Sequence, residues 1–99
     1  MTTSETESND NVIFVGNKPP MSYVVAVLTE FERSSNVVIK ARGKAISKAV
    51  ETAEIVRKKY NQAVEVIEIS IDTEHIIDKD TKKPMDIPSI VINLAKPVK

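Results

Sequence analysis

The sequence contains no cysteine and no tryptophan, one histidine and two glycines, and its 99 residues include only two phenylalanines and two tyrosines. Without cysteine, the chain can form no disulfide, no thiolate metal site and no cysteine nucleophile. With His75 as the single histidine, one chain can build neither a multi-histidine metal site nor a catalytic pair that needs histidine. The scarcity of aromatic residues predicts an aliphatic core, built from valine and isoleucine.

Long apolar runs are also absent, since no run approaches the roughly 18–20 residues that cross a bilayer. The N-terminal segment carries Glu5, Glu7 and Asp10 without a basic residue, which is the opposite charge from a signal or transit peptide. We therefore expect a soluble cytoplasmic protein with no membrane partner. Residues 1–11 are predicted to form a flexible acidic tail, and residues 12–99 one folded domain.

The net charge of zero conceals three blocks of unequal charge. Residues 1–15 carry a net charge of −3, residues 16–60 carry +5 and residues 61–99 carry −2. Residues 34–50 contain four basic residues and no acidic residue. Such a segment is typical either of a protein that binds a polyanion or of an ordinary solvated basic face, and charge alone does not separate the two.

Hydrophobic periodicity predicts an α/β fold with the element order β-α-β-α-β-β. The predicted elements are a strand at 12–15 that is covered on both faces, a helix at 21–33, a strand at 37–41, a helix from the Arg42-Gly43 turn to about Tyr60, and strands at 66–73 and 89–95. The last two strands are predicted to form a long hairpin with a polar tip. The result is a two-layer sandwich of two helices on a four-stranded mixed sheet.

The same patterns predict which side chains are buried. The first helix carries an apolar stripe that begins at Met21, and the second carries one that ends at Tyr60. Ile55 lies nearly opposite the second stripe, where a monomer would leave it exposed to water. We therefore expect Ile55, Tyr60 or both to contact another copy of the chain. The residues predicted to face the core from the strand at 66–73 are Ile67, Ile69 and Ile71.

Motifs for catalysis and metal binding are incomplete. Residues 78–80 (DKD) begin like a calcium-binding loop, but Lys83 stands where the turn glycine belongs and no glutamate closes the loop. Gly43-Lys44 lies between a predicted strand and helix, as in nucleotide-binding phosphate loops, but Ala45 follows where serine or threonine is required. We therefore expect no enzymatic activity, no bound metal and no cofactor.

Two basic loops are predicted to meet at one end of the sheet. A β-α-β unit with the usual right-handed crossover has parallel strands, and the loops after parallel strands emerge at the same sheet end. These loops contain Lys18, Arg42 and Lys44, beside the start of the second helix. Cations next to helix amides suit a phosphodiester backbone. Exposed basic loop residues without a ligand would show the same pattern.

Three segments resemble the Alba family of archaeal chromatin proteins: GNKPPMSYV at 16–24, VIKARGKAISKAV at 38–50 and EIVR at 54–57. The resemblance extends over nearly all of residues 12–95, in the same element order. It implies a homodimer that coats double-stranded DNA without sequence preference and also binds RNA. Related eukaryotic proteins are subunits of RNase P and RNase MRP.

The resemblance also implies roles for individual residues. It implies that Lys18 contacts the nucleic-acid backbone and is an acetylation site, with an acetyltransferase or deacetylase as a further partner. It further implies that Arg42 and Lys44 are the basic pair around the glycine of the second loop, and that the hairpin acts as an arm that reaches toward the minor groove. The candidate nucleic-acid contacts are Asn17, Lys18, Arg42, Gly43, Lys44, Lys48, Lys79, Lys82 and Lys83.

Two features depart from the family pattern. Asn17 stands where some members have a second lysine, which removes one phosphate contact. The lysines at the hairpin tip are offset by Asp78, Asp80 and Asp86, which argues against strong insertion into the minor groove.

We predict a dimeric protein that binds DNA and RNA and packages the chromosome in the nucleoid. One alternative is a module that binds structured RNA or acts in a ribonucleoprotein such as RNase P. A second alternative, from another class, is a domain that binds a small molecule or a protein and has no nucleic-acid role. The sequence does not separate these possibilities.

Overall fold

The computed structural model describes residues 11–97. A 3-10 turn, Gly43–Ala45, precedes the second helix, and a π-helical turn, Val56–Tyr60, follows it. The strands and helices are β1 (Val12–Phe14), α1 (Pro20–Glu30), β2 (Asn36–Arg42), α2 (Ile46–Ile55), β3 (Glu65–Ile77) and β4 (Pro84–Ala95). This order is the predicted one. Neither α1 nor α2 is long and apolar enough to cross a membrane.

The four strands form one mixed sheet in the order β1-β2-β4-β3. β1 and β2 are parallel, with Phe14 opposite Lys40, and the other two pairs are antiparallel. The predicted tail at 1–11 lies outside the described residues except for Asn11, whose carbonyl oxygen accepts a hydrogen bond from the Val38 amide at 2.9 Å. Because β1 and β2 are parallel, the loops that follow them lie at the same end of the sheet, as predicted.

α1 begins at Pro20 and ends at Glu30, three residues before the predicted end at Arg33. A proline in the first turn forfeits no helical hydrogen bond. The Glu30 side chain is buried and accepts hydrogen bonds from Arg33 Nε at 3.1 Å and Ser34 Oγ at 2.8 Å. These bonds hold the chain in the turn that ends the helix. The Arg33 and Ser34 donors also keep the pKa of the Glu30 carboxyl below its usual range.

The buried faces of the helices differ from the predicted stripes at their edges. On α1, Met21 is 45% exposed and Tyr23 is buried instead. On α2, Val50 is 43% exposed, whereas Ile55 is half-buried against the core rather than fully exposed. At 100° per residue, Val50 and Ile55 lie about 110° from the centre of the buried stripe of α2, one on each side. At this angle the neighbouring elements, and not the periodicity, decide whether a side chain is buried. The buried residues of α2 and the following turn are Ala49, Thr52, Ala53 and Val56.

β3 and β4 form the predicted hairpin, but the burial predicted for β3 was wrong. Ile67, Ile69 and Ile71 are 54%, 55% and 80% exposed. The last two lie opposite Ile92 and Ile90, which are buried, so they share the sheet face on which the core lies. However, β3 is an edge strand that neither helix of this chain covers. A register shift between Val66 and Glu68 makes Ile67 the extra residue of a β-bulge.

Candidate functional site

The loop after β1 is held in place from the side of α1. The hydroxyl oxygen of Tyr23 accepts hydrogen bonds from the backbone amides of Gly16 at 2.9 Å and Lys18 at 3.0 Å. Tyr23 is buried, so its ring is anchored in the core while its oxygen lies under the loop. The backbone that carries Lys18 is thereby fixed, and its side chain is exposed.

The same loop is held a second time, from α2. The ammonium group of Lys48 donates to the carbonyl oxygens of Lys18 at 2.7 Å and Gly16 at 3.3 Å. Lys48 was predicted as a nucleic-acid contact, and here its charge faces the loop backbone. We call residues Gly16 to Pro19, with these four hydrogen bonds from Tyr23 and Lys48, the clamped loop. Among residues 11–97, no acidic side chain forms an ion pair with the Lys18 ammonium.

The charge around the clamped loop acts on Tyr23. Burial by itself raises the pKa of the Tyr23 phenol. The amides of Lys18 and Gly16 and the ammonium groups of Lys48 and Lys18 act in the opposite direction, and together they bring this pKa below its usual value. The hydrogen bonds and the two ammonium groups thus outweigh the effect of burial at the phenol oxygen.

The second basic loop follows β2. Gly43 has φ +61°, a backbone conformation that L side chains rarely adopt, so the chain turns sharply between Arg42 and Lys44. Both neighbouring side chains are exposed. A Cβ at Gly43 would lie 3.5 Å from Ile87 Cγ2, which is ordinary contact, and the requirement for glycine is therefore conformational. The turn places two cations on the surface at the start of α2.

Arg42 is paired, in contrast to Lys18. Its Nη1 donates to Glu74 Oε1 at 2.8 Å, and the two side chains are 59% and 44% exposed. Glu74 belongs to β3, so this ion pair links the second basic loop to the hairpin. An anion that binds Arg42 must compete with the Glu74 carboxylate, although an exposed pair of this kind is weak.

The lysines of the hairpin tip lie on a turn that its own aspartate stabilises. Asp78 Oδ1 accepts hydrogen bonds from the amides of Asp80 at 2.7 Å and Thr81 at 3.1 Å. The hydrogen bonds from the amides of Thr81 and Asp80 hold the pKa of the Asp78 carboxyl below its usual value. Asp86 contacts His75 at 2.6 Å, so two of the three predicted offsetting acids have other partners. Lys79, Lys82 and Lys83 are all exposed.

A cavity of about 550 Å³ opens on the sheet face away from the helices. Phe14 is 62% exposed there, so the prediction that its strand is covered on both faces was wrong. The ammonium of Lys40 lies 5.9 Å from the centroid of the Phe14 ring. We call this the open-face cavity, and its lining includes Phe14, Lys40, Arg42, Glu74, Ser89 and Val91.

The structure joins some predicted site residues and leaves others apart. The Lys48 ammonium contacts the Lys18 carbonyl oxygen. Arg42 is the last residue of β2, the strand that pairs with β1, and Lys44 follows that strand. The tip lysines lie at the far end of a hairpin in a molecule 51 Å long. Sequence reasoning missed the roles of Tyr23, Glu74 and Phe14. Only Phe14 had a local signal, because alternation along β1 would have placed it on the open face.

Comparison with known proteins gives a consistent result. The sequence model of the Alba family matches residues 11–73. The DNA/RNA-binding protein Alba of Methanocella arvoryzae is 51% identical over 89 residues, which cover 89% of this chain and 92% of that protein. DNA/RNA-binding protein Alba 1 of Archaeoglobus fulgidus is 50% identical over 88 residues, which cover 88% and 97%.

Solved structures agree in fold. Alba from Thermoplasma volcanium superposes with a TM-score of 0.80 at 45% identity, covering 86% of this chain and 99% of that one. ALBA1 from Trypanosoma brucei gives a TM-score of 0.71 at 21% identity, covering 88% and 69%. The second likeness concerns the fold alone.

Proposed function

The chain belongs to the Alba family, and we propose that it binds double-stranded DNA and RNA without sequence preference, as a homodimer that packages the chromosome in the nucleoid. The proposal assigns it no catalytic step. The names of its relatives, DNA/RNA-binding proteins, support nucleic acid as the partner. The observation that carries the proposal is the clamped loop, which presents the cation of Lys18 on a fixed backbone.

A fixed loop favours binding because less freedom is lost when the complex forms. Four hydrogen bonds restrict the backbone of the clamped loop before any ligand arrives. A lysine on such a loop gives up little more than its own side-chain entropy on contact with phosphate. Lys18, Arg42 and Lys44 are spread over two loops at one sheet end, which suits successive phosphates of a backbone. Such contacts carry no base information, so the binding is independent of sequence.

Dimerisation would double this set of cations on one particle. β3 exposes Ile69 and Ile71 on the core side of the sheet, at an edge that neither α1 nor α2 covers. A second copy is the occupant that we propose, since a two-fold interface pairs a patch with itself. Ile55, half-buried on α2, and Tyr60, 56% exposed, remain the proposed contacts within or between dimers.

Acetylation of Lys18 would modulate the affinity. The side chain is exposed and its backbone is fixed, so an acetyltransferase or deacetylase could reach the ammonium without unfolding the loop. Acetylation removes the charge that contacts phosphate. Asn17 beside it carries no charge that could replace the lost contact.

The test is fluorescence anisotropy with two short duplexes of unrelated sequence and one structured RNA hairpin, at low and at moderate salt. We expect similar affinity for both duplexes, retention of RNA binding, and weaker binding at higher salt. Strong preference for one duplex would contradict sequence independence, and preference for the RNA hairpin would favour the ribonucleoprotein function. Absence of binding to all three probes would refute the proposal.

The dimer has its own test in light scattering during size-exclusion chromatography. The double variant Ile69→Lys/Ile71→Lys should elute as a monomer and bind duplex DNA more weakly. Val25→Lys, which replaces a 57% exposed residue on α1, is the matched control and should remain dimeric. A double variant that stays dimeric would exclude this face as the interface.

A further inference from the structure

The sheet face that the helices leave open carries an exposed aromatic ring. Phe14 lies opposite Lys40 in the sheet, and Lys40 lies opposite Val91. Paired residues project to the same face, and this face is opposite to the one on which Ile39 is buried. Single exposed apolar residues are ordinary. Phe14 differs because it lines the open-face cavity together with two cationic side chains.

The cavity has the size and the charge for a nucleotide. Its volume of about 550 Å³ lies within the roughly 300–1,000 Å³ of small-ligand sites. The Lys40 ammonium lies 5.9 Å from the centroid of the Phe14 ring, and Arg42 stands at the edge that continues into the second basic loop. The Lys40 ammonium lies over the ring, and when Lys40 turns to a phosphate it frees that face for a base. Unpaired bases stack on aromatic rings in this way while their phosphates contact lysine or arginine.

Resting on the proposed function, we infer that the open-face cavity binds an unpaired base of a single-stranded nucleic acid. The base stacks on Phe14, and Lys40 and Arg42 contact the flanking phosphates. Bases within a duplex are already stacked on one another and cannot reach the ring without unpairing. The clamped loop and the open-face cavity would therefore serve different parts of a nucleic acid, with Arg42 shared between them.

The polar groups of the cavity also fit a base. Glu74 and Ser89 line it, and a carboxylate accepts hydrogen bonds from the amino groups of bases. Before binding, the Glu74 carboxylate is paired with Arg42. When Arg42 turns to a phosphate, that carboxylate becomes available to the edge of a base. A simple anion would gain nothing from this acid or from the aromatic ring, so the combination favours a nucleotide within a strand.

The experiment compares a single-stranded oligonucleotide with a duplex of the same sequence. Phe14→Ala should weaken single-strand binding about five- to tenfold, the lower part of the range for loss of a base–aromatic stack, and leave duplex binding within about twofold. Val25→Ala, an exposed apolar residue of similar accessibility on α1, is the matched control and should alter neither. Phe14→Trp should retain single-strand binding and, because the chain has no other tryptophan, report stacking through quenching of its fluorescence by the single strand but not by the duplex.

The outcomes separate this inference from the function on which it rests. If the unaltered protein binds neither probe, the proposed function fails and this inference fails with it. If it binds the duplex while Phe14→Ala changes neither affinity, or changes both equally, only the inference is refuted. Quenching of Phe14→Trp by the duplex to the same extent as by the single strand would also refute it.

Discussion

The two basic loops at one end of the sheet differ in how their backbones are held and in whether their cations are already paired. In the clamped loop, Tyr23 and Lys48 hold the backbone, and the cation of Lys18 has no acidic partner among residues 11–97. In the second loop, a glycine turn sets the backbone, and the cation of Arg42 is already paired with Glu74. On the proposed function, Lys18 would bind a phosphate without losing an acidic partner, whereas Arg42 would first have to leave Glu74.

This difference predicts that the two cations contribute unequally. Lys18→Ala should weaken duplex binding about thirtyfold, since a dimer loses two contacts of on the order of 1 kcal/mol each. Arg42→Ala should weaken it only about threefold, because the loss of the exposed ion pair with Glu74 offsets part of the energy that Arg42 gains from phosphate. Lys59→Ala, which replaces an exposed lysine of the π-helical turn after α2, is the control. Equal losses for the Lys18 and Arg42 variants would remove the distinction between the loops.

Releasing the clamp should reproduce part of the Lys18 effect without any change of charge. Tyr23→Phe deletes the acceptor for two amides, so the loop should become mobile and binding should weaken about threefold to fivefold. The decisive control is the same substitution in the Lys18→Ala background, where no further loss is expected because Tyr23 acts through Lys18. Additive losses in that double variant would show that Tyr23 supports binding by another route.

Removing the acidic partner of Arg42 should strengthen duplex binding, in contrast to releasing the clamped loop. Glu74→Gln removes the competing charge and keeps the size of the side chain, so duplex binding should strengthen about twofold. The gain should vanish when Arg42 is also alanine. If Glu74→Gln strengthens binding equally in both backgrounds, the acid acts through the general field of the protein and not through the ion pair with Arg42.

The turn at the hairpin tip should differ from the clamped loop in its response to acid. The donors to Asp78 lower its pKa in the folded protein, so its contribution to the turn is present above the unfolded-state pKa of about 3.9 and is lost as pH falls through the lower folded-state value. The protection factors of the Asp80 and Thr81 amides, taken against the intrinsic exchange rate at each pH, should therefore fall in acid, while the Gly16 and Lys18 amides, held by a phenol, should keep their protection. Asp78→Asn should abolish the acid dependence at the tip. Parallel loss of protection at both loops would indicate global unfolding instead.

The elements and their order could be predicted because they depend on local periodicity. The parallel pairing of β1 and β2 followed from the handedness of one crossover. Periodicity could not show which elements pack on each face of the sheet. Ile69 and Ile71 lie on the predicted side of the sheet, yet they are exposed because β3 is an edge strand, a fact of strand order and not of alternation.

The candidate cations could be predicted from the sequence, but the side chains that bind to their loops could not. Lys18, Arg42 and Lys44 stand in loops that the sequence marks with glycine and proline. The partners of those loops come from elsewhere in the chain: Lys48 is 30 residues from Lys18, and Glu74 is 32 residues from Arg42. Side-chain hydrogen bonds over such separations depend on the packed arrangement of helices and strands. For this reason the sequence did not show that the Lys48 ammonium donates to the loop backbone, and its role as a nucleic-acid contact stays a prediction.

The central claim is that Lys18, presented by the clamped loop, contacts phosphate directly. Its most direct test is the slope of log K against log salt concentration for duplex binding by the unaltered protein and by Lys18→Ala. Each lost phosphate contact lowers the magnitude of this slope by about 0.9, so a dimer that loses two contacts should show a decrease of about 1.8. An unchanged slope, even with weaker binding, would contradict the claim and leave Lys18 outside the interface.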